Sequence, residues 1–230
     1  VDRDELLRVL RAFEEQRLEY VLIGATAMAL HGLVRATEDV DLLIRPTPEN
    51  VERLRQALKA TYLEDPHVED IRTEDLLGDY PAVRYYPASG DLFFDILTRL
   101  GGAAEFENVE SEIKEVEGVR ICVATPQALY RLKKNTVRPI DRQDAAALQR
   151  GSSSETNEMA VEKFHSLEEM NAAPLRAGEQ SALDRFIRHC NRFRIISKGR
   201  NPRGVFKFRS IEEAQAARQI AEDSSGPCRD

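Results

Sequence analysis

Apolar positions recur at helical spacing over residues 2 to 17, DRDELLRVLRAFEEQR, where Leu6, Leu7, Leu10 and Phe13 share one face, so an amphipathic helix is predicted there. The next stretch, LEYVLIG (18–24), is almost continuously apolar and ends at a glycine, which predicts a short buried strand, and TAMALHG after it predicts a short helix closed by Gly32. Residues 39 to 44 alternate, with Val40, Leu42 and Ile44 apolar between Asp39 and Asp41, the period of a strand. In PTPENVERLRQALKA, Thr47 suits an N-cap, Pro48 the first helical position, and Val51, Leu54 and Leu58 the buried face. DLFFDILTRL (91–100) is an apolar strand with Asp95 set inside it. VRICVA (119–124) is a strand leading to a helix opened by Thr125 and Pro126, and a further helix follows Pro139 with Ala145, Ala146 and Leu148 inward. Strands alternating with helices predict an α/β fold. Residues 64 to 90 carry no decisive period.

After residue 150 the pattern changes. RGSSSETNE (150–158) is too small and polar to pack a core, so the chain divides into a domain over 1–150, a linker over 151–158 and a C-terminal module over 159–230. Met159 stands where a separate small protein could begin. KFHSLEEM (163–170) and KFRSIEEA (207–214) share five of eight positions, and each pairs a serine with a glutamate three residues on, so Ser166 with Glu169 and Ser210 with Glu213 should each open a helix after an extended Lys-Phe stretch. Between them Leu183, Phe186, Ile187, Cys190 and Phe193 mark an amphipathic helix. The module is expected to be mostly helical.

Charge sharpens that division. Residues 1–150 hold 20 Lys+Arg and 28 Asp+Glu, net −8, whereas 151–230 hold 13 and 12, net +1; nine basic residues and no acid lie between Arg185 and Arg209. Two destinations suit such a block, electrostatic docking on the acidic domain or contact with nucleic acid. No apolar run approaches a membrane span, and residues 1–20 are too charged for a signal peptide, which predicts a cytoplasmic protein. Cys122, Cys190 and Cys228 are scattered and the four histidines form no metal-binding pair, so neither a disulfide framework nor a zinc site is indicated.

The chemistry lies in the aspartates. Residues two apart on a strand face the same way, so Asp39 and Asp41 repel each other, and together with Asp95 they form a costly cluster in apolar strands unless a cation neutralises it. Oxygen-only donors favour a hard cation such as Mg²⁺, which keeps open positions for water and phosphate. Singly, each aspartate could equally face solvent or an arginine.

Gly24-Ala25 before a short helix, Asp39-x-Asp41 between apolar residues and Asp95 on a later strand together resemble the nucleotidyltransferase superfamily of the DNA polymerase β type. The stretch from Ala27 to Leu42, A-x-x-L-H-G-x-x-R-x-T-x-D-x-D-L, and LYRLKKNTVRPIDRQDAAAL (129–148) resemble its minimal and AbiEii-like bacterial members, several of which belong to toxin–antitoxin systems. The resemblance spans about residues 5–150 and implies a mixed sheet flanked by helices. It further implies transfer of NMP from an NTP, with loss of pyrophosphate, to a hydroxyl of RNA, tRNA foremost, or of a protein. Asp39, Asp41 and Asp95 would hold two Mg²⁺ ions, and Asp95 would also orient or deprotonate the acceptor hydroxyl. The backbone of Gly24, Ala25 and Thr26 would meet phosphate oxygens; Ala25 stands where the family usually has Gly or Ser. Lys133, Lys134 and Arg138 would neutralise triphosphate charge or else form a solvated helix face. Arg35 and Thr37 would position the metal strand or a phosphate, or make a surface ion pair. His31 should close its helix, and Asp141 and Asp144 should cap helices or pair with the nearby cations. From another class, a non-catalytic regulatory binding protein that retains this fold is the alternative; the intact acidic trio favours the enzyme.

Overall fold

In the computed structural model, residues 2–35, 37, 39–100, 104–134, 136, 139–151, 182–196 and 202–224 are described. In chain order the elements are α1 (Arg3–Glu15), β1 (Tyr20–Ile23), α2 (Gly24–Leu30), β2 (Asp39–Ile44), α3 (Pro48–Thr61), a 3₁₀ turn (Pro66–Asp70), α4 (Thr73–Leu77), β3 (Ala82–Tyr86), β4 (Phe93–Leu97), β5 (Arg99–Leu100) and β6 (Ala104–Glu105). A second 3₁₀ turn (Phe106–Asn108) precedes β7 (Ser111–Val116), β8 (Val119–Ala124), α5 (Pro126–Lys133), α6 (Pro139–Gly151), α7 (Ala182–Ile196), β9 (Gly204–Phe208) and α8 (Ile211–Ser224). Seven strands form one mixed sheet in the order β7-β8-β1-β2-β4-β3-β9. The chain is therefore an α/β protein with a mixed sheet flanked by helices.

Local chemistry explains most of these boundaries. Asp2 caps α1 by accepting from the Glu5 amide, Thr47 caps α3 from Asn50, and Thr125 caps α5 from Ala128. Leu6, Leu10 and Phe13 of α1 and Val51, Leu54 and Leu58 of α3 are buried in the core with β1, β2 and β4. Glu5, itself buried, accepts from Tyr62 Oη at 2.8 Å and from the Asp91 amide at 2.9 Å, which fixes the entry to β4. Gly90 (φ +89°) lets the loop pass so close that a Cβ would stand 2.8 Å from Glu5 Cδ.

The segment 64–90, without a clear period in the sequence, holds the first 3₁₀ turn, α4 and β3. Strand β3 is buried at all five positions, including Arg84, because both faces of the sheet are covered there: Tyr85 packs on Tyr62 on one face, and Arg84 meets Ala214 of α8 on the other. Strand β9 belongs to the C-terminal segment. It runs antiparallel to β3, pairing Ala82 with Phe208, Arg84 with Phe206 and Tyr86 with Gly204. Helix α7 is anchored in the common core by Leu183, Phe186, Ile187 and Cys190, and burying Phe186 alone contributes about 2 kcal/mol. Ser210 and Glu213 open α8 as the sequence predicts: Ser210 Oγ accepts from the Glu213 amide at 3.2 Å, and the Glu213 carboxylate accepts from the Arg209 amide at 2.6 Å. The matching pair Ser166 and Glu169, and the linker 152–158, lie outside the described residues.

Candidate active site

Parallel pairing of β2 with β4 places Asp41 directly beside Asp95, and Asp39 lies two residues before Asp41 on the same face. Ligand oxygens of all three carboxylates lie within 4.8 Å of one another. Asp39 is 2% exposed and Asp95 9%, so the cluster sits in a low-dielectric setting where like charges are costly.

Each carboxylate is held in place. The Thr37 hydroxyl donates to Asp39 Oδ1, while the Thr37 amide donates to Cys190 Sγ of α7 at 3.4 Å. Burial pushes the Cys190 thiol up, so it stays protonated and acts as a neutral packing partner. Asp41 lies against the turn into α2. Gly24 adopts φ +68°, and a Cβ there would come within 2.6 Å of Asp41 Cγ, so the carboxylate occupies space that any other residue would fill. The Thr26 hydroxyl, facing the same strand, donates to the Asp39 carbonyl at 3.4 Å. Asp95 is engaged by Arg84, whose Nε donates to Oδ1 at 2.7 Å and whose Nη2 donates to Oδ2 at 3.0 Å. One row of opposed positions therefore crosses the sheet: Asp41, Asp95, Arg84 and Phe206.

Arg84 is the residue that sequence reasoning missed. Its signal was a lone arginine within the apolar run PAVRYYP, since a buried guanidinium needs a carboxylate partner. Thr37, one of whose two sequence readings was a prop for the metal strand, makes that contact directly. Arg35 instead pairs with Asp144 at 3.0 Å. Lys133 is buried, with its ammonium 2.9 Å from Asp141 Oδ1 and 2.8 Å from Asp144 Oδ2. The cation thus ties α5 to α6 and does not lie on a solvated face. Lys134 is exposed, its Nζ 5.8 Å from the centre of the Tyr130 ring, and Arg138 is outside the described residues. His31 follows the last turn of α2 and its Nε2 donates to the Ala124 carbonyl at 2.8 Å; burial pushes the imidazole down, and the neutral ring joins α2 to β8.

An all-oxygen donor set, converging from adjacent strands, fits a hard divalent cation and offers nothing to a soft one. No helix among the described residues is long and apolar enough to cross a membrane.

Two solved structures are similar to parts of this chain. A lincosamide antibiotic adenylyltransferase, LnuA with lincomycin bound, is 17% identical over 65% of this chain and 97% of its own, with a TM-score of 0.42. ANT(2")-Ia in complex with adenylyl-2"-tobramycin is 16% identical over 66% of this chain and 90% of its own, with a TM-score of 0.40. No curated relative matches the chain by sequence. The pattern of the nucleotidyl transferase AbiEii toxin, of type IV toxin–antitoxin systems, matches residues 6–147, a span that contains the whole acidic cluster, the glycine turn that seats Asp41 and the α5–α6 ion network. The chain therefore belongs to the AbiEii nucleotidyl transferase toxin family, and it is a transferase.

Proposed function

We propose that this transferase moves NMP from an NTP to a hydroxyl of RNA, tRNA foremost, or of a protein side chain, and that it requires Mg²⁺. The observation that carries the reading is the convergence of Asp39, Asp41 and Asp95 within 4.8 Å on two paired strands. Divalent ions held there would supply the positive charge that phosphate oxygens and the leaving pyrophosphate need. Thr37 fixes the Asp39 oxygen that it bonds, and the turn at Gly24 seats Asp41. Asp95 is the assigned acceptor of the hydroxyl proton; Arg84 aligns its plane and takes one lone pair on each oxygen, which leaves a second on each for that proton. The backbone of Gly24, Ala25 and Thr26, which adjoins Asp41, is assigned to the phosphates. Lys134 and Arg138 are the cations assigned to them as well. Lys133 is given a positioning role, since Asp141 and Asp144 occupy its ammonium.

The test is incubation of the full chain with each labelled NTP, Mg²⁺ and either total RNA or a protein extract. Label should enter one acceptor class with the parent chain and not with Asp41→Asn. Equal labelling by Asp41→Asn would refute the assignment. A folded parent that binds NTP and labels neither class would favour a binding protein without turnover.

A further inference from the structure

We infer that β9 and α8 form a removable cap that holds the carboxylate site closed, and that Arg84 carries the position of the cap to Asp95. The inference rests on the metal-dependent reading of that site proposed above.

Three observations support it. First, Asp41 and Asp95 border a cavity whose other walls include Phe208, Ile211, Ala214 and Gln215, all from the cap. Its volume is about 30 Å³. That is room for one or two waters, whereas a small-molecule site measures about 300–1,000 Å³. A triphosphate cannot reach these two carboxylates from this side while the cap is seated.

Second, the guanidinium of Arg84 bridges cap and site. Besides its two bonds to Asp95, it donates through Nη2 to the Ala214 carbonyl of α8 at 3.3 Å, and the Phe208 ring centre lies 5.5 Å from Cζ. A cation held on both oxygens of Asp95 takes one lone pair on each and opposes by its charge the approach of a divalent ion to that carboxylate. The β3–β4 register sets Arg84 beside Asp95, and the two contacts from the cap add to the hold on the guanidinium there.

Third, the fastenings of the cap suit release. Side chains of β9 are only partly buried from Val205 to Phe208, unlike the fully buried strands β3 and β4 beside it. Beside the apolar contacts of Val205 and Phe208, and of Phe206 with Tyr86, its anchors are polar: Lys207 pairs with Asp75, and Arg203 donates to the carbonyls of Pro87 at 2.8 Å and Gly90 at 3.0 Å. An edge strand with half-buried side chains belongs to the low-stability end of a fold, and edge ladders exchange with other strands. Helix α7 places Leu183, Phe186, Ile187 and Cys190 in the core against the single Ala214 of α8, and is the fixed part of the C-terminal segment.

The test uses the full chain, with Mn²⁺ as a spectroscopic probe of the site and amide exchange as a probe of the cap. Lys207→Glu combined with Arg203→Ala removes the polar anchors. It should speed exchange at 204–208 and tighten Mn²⁺ binding by about tenfold, as release of one competing charge-assisted contact predicts. Val83 and Lys207 are directly opposed across the β3–β9 ladder, so Val83→Cys with Lys207→Cys locks the cap by an oxidisable link. Mn²⁺ should bind more weakly to the oxidised form than to the reduced form of the same protein, a comparison that stands even if the loosened variant fails to fold. Faster exchange at 204–208 with unchanged Mn²⁺ affinity, or equal affinity in oxidised and reduced forms, overturns the cap. Absence of Mn²⁺ binding in parent, loosened and reduced forms alike overturns the metal reading beneath it.

Discussion

Gly24→Ala isolates the fit between the turn and Asp41. At φ +68° an alanine carries a left-handed penalty of about 1–2 kcal/mol, and the new methyl falls within 2.6 Å of Asp41 Cγ. Backbone cannot yield easily there, because β1 and β2 are paired from Tyr20 to Ile23 and Asp41 is opposite Ile23. The carboxylate must therefore leave its rotamer, at a further cost of about 1 kcal/mol. The sum, about 2–3 kcal/mol, lowers Tm by about 4–12 °C for a chain of this size. Displacing Asp41 also removes one of three donors, so Mn²⁺ affinity should fall by more than the stability loss alone explains. Thermal unfolding with and without Mn²⁺, followed by fluorescence, reads both effects. The metal-induced rise in Tm should be present in the parent and lost in Gly24→Ala, while Gly32→Ala, at a turn where a Cβ meets nothing within 4 Å, should keep it. A Gly24→Ala protein that melts with the parent and retains its metal-induced shift would refute this account of the turn.

Asp41→Asn should leave the apo fold intact or raise its Tm slightly, since it relieves repulsion among carboxylates within 4.8 Å of one another, and it should abolish the Mn²⁺ shift; circular dichroism melts decide. Lys133→Met leaves Asp141 and Asp144 with reduced compensation in a buried site, so stability should fall by about 3–5 kcal/mol, read as a lower urea midpoint. Lys134→Met, on the exposed side, should leave that midpoint unchanged. Burial lowers the His31 pKa, so below about 6.5 the unfolded chain binds a proton that the folded chain refuses. This contribution is fully present above that pH and is lost as pH falls through the folded value. The urea midpoint should therefore drop more between pH 7 and pH 5 in the parent than in His31→Gln.

Much of the fold was legible because local patterns and tertiary demands agree. Leu6, Leu10 and Phe13 make α1 amphipathic wherever it docks, Thr47 and Thr125 cap helices by bonds three residues long, and Asp39-x-Asp41 on a strand must share a face. What the sequence could not determine depends on who lies beside whom. Asp41 and Asp95 stand 54 positions apart in the chain, and only the parallel register of β2 with β4 sets them side by side. Strand β3 lacked a readable period because, with both faces covered, it is buried throughout, so alternation vanishes and Arg84 is legible only through its partner. The sequence offered Asp141 and Asp144 as caps or as partners of the nearby cations, and the fold-back of α6 chose between these by placing both on the Lys133 ammonium. The C-terminal segment shows the same division most fully. Its capping box and amphipathic helix are local and were legible, but a half-buried strand such as GVFKF carries no address, and only the unpaired edge of β3 decided that it would complete the sheet beside the carboxylates.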